Sequence, residues 1–188
     1  MQIKHLIKKI LAAVGLYHPS LGIKINPEEK ASILLQHQTP NIKIFVETGT
    51  EEGWMIEKMS GYFEKIYSIE LDISLYNQVR ERFKGQGNIK LLRGDSAVEI
   101  ERVLEELKEP ALFWLDAHAG GAITTANAPI ISELEAIFAH SVKGHLILID
   151  DARHFDRKTI RVIKKMALSH RYTFCIEDGI FRLIPNEF

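Results

Sequence analysis

The chain lacks a second cysteine, because Cys175 is the single cysteine among its 188 residues. An intrachain disulfide and a thiolate metal cluster are therefore excluded, and this usage is typical of a reducing cytoplasm. Cys175 lies in the apolar run YTFCIE. These surroundings predict a buried thiol rather than a nucleophile.

The chain also has little net charge, since 24 Lys and Arg residues nearly balance 25 Asp and Glu residues. This balance provides no general attraction to nucleic acid, and we expect no nucleic-acid partner. No apolar run of the sequence is long enough to cross a bilayer as a helix. With 46% apolar residues, a chain of this length is suited to one domain with a sizeable hydrophobic core.

Residues 1–16 have apolar residues at helical spacing, while their lysines fall mostly on the opposite face. Three interpretations remain open: a helix packed on the domain, a weak membrane-surface contact, or a partner-binding helix. Residues 17–40 contain three prolines and are interpreted as a connection. We therefore predict an N-terminal segment over 1–40 and a main domain over 41–188, in the cytoplasm or peripheral at the inner membrane face.

From residue 41 onward, short β-branched and aromatic runs alternate with segments of helical periodicity. Five strands that are each followed by a helix predict an α/β fold with a parallel sheet. Two further strands flank Asp178 and Gly179, a pair typical of a tight hairpin. The last strand must then run antiparallel, whereas a plain dinucleotide-binding fold would continue with another crossover helix.

Acidic residues stand at or just after the ends of the five predicted parallel strands. They are Glu47, Glu70, Asp95, Asp116 and Asp150. Ligands of open α/β sheets bind beyond the carboxyl ends of the strands, so these side chains are predicted to face one cleft. Helix capping and solvated loop starts are the alternative explanation for the set.

The first turn, VETGTEEGW, lacks the G-x-G-x-x-G spacing of a pyrophosphate site, because Glu51 stands where a second glycine is expected. Gly49 permits a tight turn, and Gly53 permits close approach of the following helix. Glu51 and Glu52 would repel a phosphate, so the sequence favours a zwitterionic or cationic ligand. The same spacing and the terminal hairpin disfavour a nicotinamide-dependent oxidoreductase.

Together these features resemble the class I S-adenosylmethionine-dependent methyltransferases. The resemblance covers residues 41 to 188, and it implies a Rossmann-like, doubly wound, seven-stranded and mostly parallel sheet with a C-terminal antiparallel β-hairpin. It also implies S-adenosylmethionine as the cofactor. The resemblance implies that the methionine moiety contacts Glu47, Gly49, Thr50 and Gly53. It also implies that the ribose contacts Glu70 and that the adenine contacts Asp95 and Ser96. Asp116 is implied to contact the cofactor as well.

Within that superfamily, LDAH and IDDARHF are most similar to the metal-assisted O-methyltransferases of catechols and macrolide sugars. The resemblance implies that Asp116, Asp150 and Asp151 bind Mg²⁺ or another divalent cation, which prefers oxygen ligands. Such a cation would lower the pKa of a hydroxyl and fix its oxygen near the methyl group. The alternative is a metal-free enzyme in which Asp151 caps the following loop.

His118 and His154 closely follow two of the acidic strand ends. With Asp116 they are the candidate catalytic residues, as general bases or as walls of the substrate pocket. A hydrogen-bonded or solvated loop histidine is the alternative for each. The expected function is O-methylation of a small molecule or sugar hydroxyl, and a homodimer is compatible with the sequence. The alternative function is a methyltransferase-like protein that binds cofactor or a partner without turnover.

Overall fold

The computed structural model describes residues 25–116 and 129–186. The predicted N-terminal helix over 1–16 and the candidate residue His118 lie outside the described residues. Within the described part, seven strands form one sheet. They are β1 (Ile44–Thr48), β2 (Lys65–Glu70), β3 (Ile89–Arg93), β4 (Ala111–Leu115), β5 (Leu146–Ile149), β6 (Tyr172–Glu177) and β7 (Ile180–Pro185).

The strand order across the sheet is β3-β2-β1-β4-β5-β7-β6. The first five strands in this order are parallel to one another. Strand β7 is antiparallel to both of its neighbours, and the hairpin turn at Asp178 and Gly179 has positive φ at both residues. The predicted seven-stranded, mostly parallel sheet with a C-terminal antiparallel hairpin is confirmed.

Six α-helices accompany the described strands. They are α1 (Pro27–His37), α2 (Trp54–Met59), α3 (Ile73–Arg82), α4 (Ser96–Glu106), α5 (Pro129–Ala139) and α6 (Arg157–Ser169), with a 3₁₀ turn at Ala152–His154. Side chains cap several helix starts, since Asp72, Asp95 and Asp156 each accept a backbone N–H of the first turn. These caps satisfy donors that a helix start otherwise leaves unpaired.

Helix α1 lies in the part of the chain that the sequence suggested was only a connection. Its start has a capping box, in which the side chains of Asn26 and Glu29 each accept the other's backbone N–H at 2.9 Å. Its buried residues Ala31 and Leu34 belong to the same apolar cluster as Trp114 of β4. The interpretation as a connection is therefore corrected for this helix, while the boundary at residue 40 stays a prediction.

Both faces of the sheet are covered, as a parallel sheet requires. Neighbouring residues of β1 enter opposite clusters, with Phe45 among α1, α2 and α3 and Val46 among α4, α5 and α6. Cys175 on β6 is half-buried rather than buried, and burial raises the pKa of its thiol. Within residues 25–116 and 129–186, none of the helices has the length and apolar character needed to span a bilayer.

Candidate functional site

The loops after three central strands are fixed at one edge of the sheet. The N–H groups of Gly49, Asp116 and Asp150 donate to carbonyls of β2, β1 and β4 at 3.0, 3.0 and 3.1 Å. Each loop therefore begins with a backbone hydrogen bond to the neighbouring strand. The acidic strand ends come together at this edge because the parallel strands end side by side. Of the five residues predicted to face one cleft, Asp150 lines neither of the two cavities that open here, whereas the other four line at least one of them: Glu47, Glu70, Asp95 and Asp116.

Two cavities open at this edge. The first, which we call the β2–β3 cavity, measures about 590 Å³ and is lined by residues that include Glu70, Arg93, Asp95, Ser96 and Asp116. It therefore brings together the acidic ends of β2 and β4 and the GDS turn after β3. This volume is within the range of small-molecule sites.

The second, which we call the α1 cavity, measures about 480 Å³ and extends from the first βα turn to helix α1. Its lining includes Lys30, Glu47, Thr50, Trp54 and Trp114. The two cavities share four lining residues, which are Gly49, Glu51, Leu75 and Asp116. They therefore adjoin, and a ligand longer than either cavity can occupy both.

Glu70 is held rigidly between two turns. Its Oε2 accepts the N–H of Glu51 at 2.9 Å, and its Oε1 accepts the N–H of Asp72 at 2.8 Å. The side chain is buried yet lines the β2–β3 cavity. Glu70 thus connects the turn after β1 to the start of α3, and its carboxylate oxygens retain lone pairs for a ligand.

Glu47 is buried at the other side of the first turn. The Ser68 hydroxyl donates to Glu47 Oε2 at 2.7 Å, and the hydroxyls of Ser68 and Thr50 lie 2.6 Å apart. Burial raises the pKa of Glu47 to about 8, with the charge of Asp116 adding to the rise. Glu47 is consequently uncharged at neutral pH in the ligand-free protein.

Asp95 both caps a helix and lines the cleft, two roles that the sequence leaves as alternatives. Its side chain accepts the N–H of Ala97 at 3.0 Å and so caps α4, and it also lines the β2–β3 cavity beside the buried Ser96. Capping and cleft placement are therefore compatible at this position. Asp72 likewise caps α3, because its side chain accepts the N–H groups of Ser74 and Leu75, and it lines the same cavity.

Gly53 is the predicted cofactor residue that lines neither cavity. It caps α2 at φ +74°. A Cβ atom there would lie 2.7 Å from Phe83 and 3.1 Å from Val79, both near the end of α3. Gly53 therefore permits close packing against α3, rather than against the following helix α2 as predicted.

Lys30 joins the acidic cluster from helix α1. Its ammonium group donates to Asp150 Oδ2, and the two side chains are 19% and 2% exposed. Burial alone would lower the pKa of Lys30, but the charges of Asp150, Asp116 and Asp151 outweigh burial and raise it. Burial and the charge of Asp116 raise the pKa of Asp150, while Lys30 opposes that rise.

Two of the three predicted metal ligands, Asp150 and Asp151, interact with other groups. Asp150 Oδ1 accepts the N–H of Asp151 at 2.7 Å, and Asp151 Oδ1 lies 2.9 Å from the Arg153 guanidinium. Within residues 25–116 and 129–186, no group of three His, Cys, Asp or Glu side chains is arranged to hold a metal ion. The predicted Mg²⁺ site at Asp116, Asp150 and Asp151 is therefore not supported.

His154 was predicted as a catalytic residue, but it lines neither cavity. Its Nδ1 lies 3.7 Å from Asp151 Oδ2, and its Nε2 accepts a hydrogen bond from Arg153 Nε at 3.1 Å. This arrangement matches the alternative of a hydrogen-bonded loop histidine. Of the candidate catalytic residues within the described ranges, Asp116 alone borders both cavities.

Lys30 and Trp114 are cavity residues that were not predicted from the sequence. Lys30 lies in the segment that was interpreted as a connection, and Trp114 lies within the apolar run of β4. The signal available for Lys30 was the start of α1, where Asn26, Pro27 and Glu29 form a recognisable capping pattern. No local pattern indicates that this helix packs beside β5, since Lys30 and Asp150 are 120 positions apart.

Comparison with known proteins now bears on this geometry. No family model matches the chain, and no curated protein matches it. Solved structures do match. A Staphylococcus aureus protein described as a caffeoyl-CoA O-methyltransferase has a TM-score of 0.60 and 14% identity, covering 97% of this chain and 91% of that chain.

Two further structures have different named activities. An rRNA methylase from Streptococcus thermophilus has a TM-score of 0.58 and 16% identity, covering 88% of this chain and 100% of that chain. A precorrin-6y C5,15-methyltransferase from Geobacter metallireducens has a TM-score of 0.57 and 13% identity, covering 84% and 77%. The chain has a methyltransferase fold. At these identities the likeness concerns the fold, and the methyltransferase fold alone does not select an acceptor.

Proposed function

We propose that the protein is an S-adenosylmethionine-dependent methyltransferase. The observation that carries the proposal is the pair of adjoining cavities at the carboxyl ends of β1 to β4, with Glu70 at one of them and Glu47 at the other. The methyltransferase fold, which has its ligand crevice at this edge, supports the same assignment.

The charge of the cleft agrees with this cofactor. Glu51 and Asp116 line both cavities, and carboxylates at this junction favour a ligand with cationic groups over a pyrophosphate. S-adenosylmethionine has a sulfonium and an ammonium group. We place its nucleoside in the β2–β3 cavity, with Glu70 accepting from the ribose and Ser96 beside the adenine. We place its methionine moiety near Glu47 and Thr50.

The acceptor that we propose is a hydroxyl oxygen of a small molecule or sugar. The acceptor oxygen forms a bond to the methyl carbon, the carbon–sulfur bond breaks, and the sulfonium becomes the thioether of S-adenosylhomocysteine. The hydroxyl proton passes to the Asp116 carboxylate, which borders both cavities. A divalent cation does not fit this site as it is arranged, because the Lys30 ammonium bonds to Asp150 and would repel a second cation at that carboxylate.

Calorimetric titration of the full chain with S-adenosylhomocysteine tests the cofactor assignment, with NADH as the comparison ligand. We expect a dissociation constant of about 1–100 μM for S-adenosylhomocysteine and no binding of NADH. Absence of S-adenosylhomocysteine binding up to about 1 mM would reject the assignment.

Turnover is tested separately, because a domain that binds cofactor without catalysis remains the alternative function. Incubation with methyl-labelled S-adenosylmethionine and a panel of hydroxyl acceptors should produce a labelled product. Asp116→Ala should abolish that product while the thermal unfolding temperature stays close to that of the wild type.

A further inference from the structure

The Lys30 ammonium group has a position from which a further inference follows. It comes from helix α1, bonds to Asp150 at the end of β5, and lines the α1 cavity. Its side chain is 19% exposed, so it is largely withdrawn from solvent while it still reaches the cavity. The resemblance of LDAH and IDDARHF to metal-assisted enzymes implies a divalent cation here, at the ends of β4 and β5.

Three carboxylates act on the charge of this ammonium group. Asp150 is bonded to it, and the charges of Asp116 and Asp151 also act on it. The Trp114 ring centroid lies 6.0 Å from Lys30 Nζ, so an aromatic face on β4 borders the same position. A cation at this place therefore has the acidic surroundings that the sequence assigned to a metal, together with a cation–π contact.

The Lys30 ammonium explains why a metal does not fit beside it. Lys30 bonds to Asp150 Oδ2, so a divalent ion on Asp150 would lie next to a positive charge and be repelled by it. On Asp151 such an ion would also compete with the Arg153 guanidinium. Displacing either cation would leave a charged group without its partner in a largely buried place, which is unfavourable.

We propose that the Lys30 ammonium group is the cation of the acceptor site, in the place where metal-assisted relatives of this fold would hold a divalent ion. An ammonium group has three N–H donors, one of which is directed to Asp150. The other two are available to an acceptor oxygen in the α1 cavity. The donated hydrogen bonds orient that oxygen and stabilise the negative charge it gains as its proton leaves.

The acceptor part of this inference rests on the proposed function, but the exchange of metal for lysine can be tested without an acceptor. The full chain is titrated with Mn²⁺ and bound ion is measured by electron paramagnetic resonance. Wild-type protein should bind no Mn²⁺ at this site up to about 1 mM. Lys30→Ala should bind one Mn²⁺ with a dissociation constant at least about tenfold below that limit. The reason is that removal of the lysine leaves Asp116, Asp150 and Asp151 without the ammonium charge.

Two further variants make the result specific to this site. Lys30→Ala with Asp150→Asn should lose the acquired Mn²⁺ binding, because an amide is a poorer ligand than a carboxylate. Lys43→Ala is the matched control. Lys43 also pairs with a carboxylate, Glu64, but its side chain is 45% exposed, and its removal should leave Mn²⁺ binding as in the wild type.

Thermal unfolding of each variant checks that it folds. If Lys30→Ala is unfolded, Lys30→Gln takes its place, because a neutral amide removes the charge and keeps a polar side chain at this position. Titration of the same proteins with S-adenosylhomocysteine separates this inference from the proposed function. Lys30→Ala should bind S-adenosylhomocysteine within about threefold of the wild type.

Three results would overturn the assignment of Lys30. The first is wild-type binding of one Mn²⁺ below about 100 μM that Asp150→Asn abolishes. The second is failure of folded Lys30→Ala or Lys30→Gln to acquire Mn²⁺. The third is a loss of S-adenosylhomocysteine affinity of more than about tenfold, which would place Lys30 at the methyl donor instead. Absence of S-adenosylhomocysteine binding by the wild type would reject the proposed function and leave the Mn²⁺ result standing.

Discussion

Glu47 and Ser68 face each other across β1 and β2, and the Ser68 hydroxyl donates to Glu47 Oε2 at 2.7 Å. Both residues are buried, so an acidic side chain is enclosed between two central strands. A carboxylate without a charged partner is unfavourable in such a place. The protein resolves this by holding Glu47 in its protonated form at neutral pH.

A first prediction concerns stability as a function of pH. The unfolded chain releases the Glu47 proton near pH 4.5, whereas the folded chain retains it until about pH 8. The folded state therefore binds more protons between these values, and this group lowers the free energy of unfolding as pH rises through the window, by up to about 5 kcal/mol. Glu47→Gln should remove this contribution, since the amide oxygen can still accept from Ser68.

The measurement is thermal unfolding of wild type and Glu47→Gln between pH 5 and pH 8.5. The variant should gain in relative stability as pH rises. Glu64→Gln is the control, because Glu64 is 69% exposed and paired with Lys43, and its difference from wild type should show no such trend. A Glu47→Gln difference that stays constant with pH would contradict a protonated Glu47.

A second prediction concerns Glu70. Replacing Glu70 by Gln puts an amide NH₂ against one of two backbone N–H groups, those of Glu51 and Asp72, that both require an acceptor. One buried donor then loses its partner, at a cost of about 1–3 kcal/mol. Under the proposed function the ribose also loses one of the two carboxylate oxygens that can accept its hydroxyl groups.

We expect S-adenosylhomocysteine affinity of Glu70→Gln to fall by about tenfold to a hundredfold in a calorimetric titration. Glu64→Gln again serves as a surface control and should bind as the wild type does. Unchanged affinity in folded Glu70→Gln would remove Glu70 from the ligand site.

A third prediction contrasts two glycines. Gly53→Ala introduces a methyl group 2.7 Å from Phe83 at a residue with φ +74°, so both packing and backbone conformation oppose it. The expected loss is about 1–3 kcal/mol in the free energy of unfolding. Gly61→Ala is the matched control, because a Cβ there has no neighbour within 4 Å. Denaturant titration should show a large shift for Gly53→Ala and little for Gly61→Ala.

A fourth prediction concerns His145, which precedes β5 away from the cavities. Its Nδ1 accepts the Ala111 N–H at 3.1 Å, and its Nε2 lies 3.1 Å from Nδ1 of His140. Burial lowers the pKa of His145 to about 4, with the charge of His140 adding to the effect. The unfolded chain takes up a proton near pH 6.5 and the folded chain only near pH 4, so stability is lost as pH falls through this window.

His145→Gln should remove this acid sensitivity, which amounts to up to about 3 kcal/mol. Equilibrium unfolding at pH 7.5 and pH 4.5 measures it. The wild type should lose more stability between the two values than the variant does. Equal losses would show that His145 does not titrate as described.

The alternating pattern of the sequence was sufficient to predict the sheet, because strands with apolar runs and helices with helical periodicity have local signatures. The edge of the sheet that holds the site was predictable for the same reason, since parallel strands bring their carboxyl ends together. The protonation of Glu47 was not predictable, because it depends on burial that only the packed sheet provides.

The partners of the predicted metal ligands were not predictable for a related reason. The spacing around Asp116, Asp150 and Asp151 is compatible with metal ligands, but Asp150 bonds to Lys30, from a distant helix, and Asp151 pairs with the neighbouring Arg153. Sequence order carries no local record of the contact between Lys30 and Asp150. The spacing of a motif therefore does not reveal which groups its carboxylates contact.

The position of β7 also has a consequence for synthesis on the ribosome. This strand is last in chain order but lies between β5 and β6. A nascent chain that ends before residue 180 therefore exposes an unpaired edge of β5, and such edges recruit strands from other chains. A chain that terminates after β5 but before β7 is therefore expected to aggregate. The edge of β5 is protected from pairing with other chains only after β7 has been synthesised.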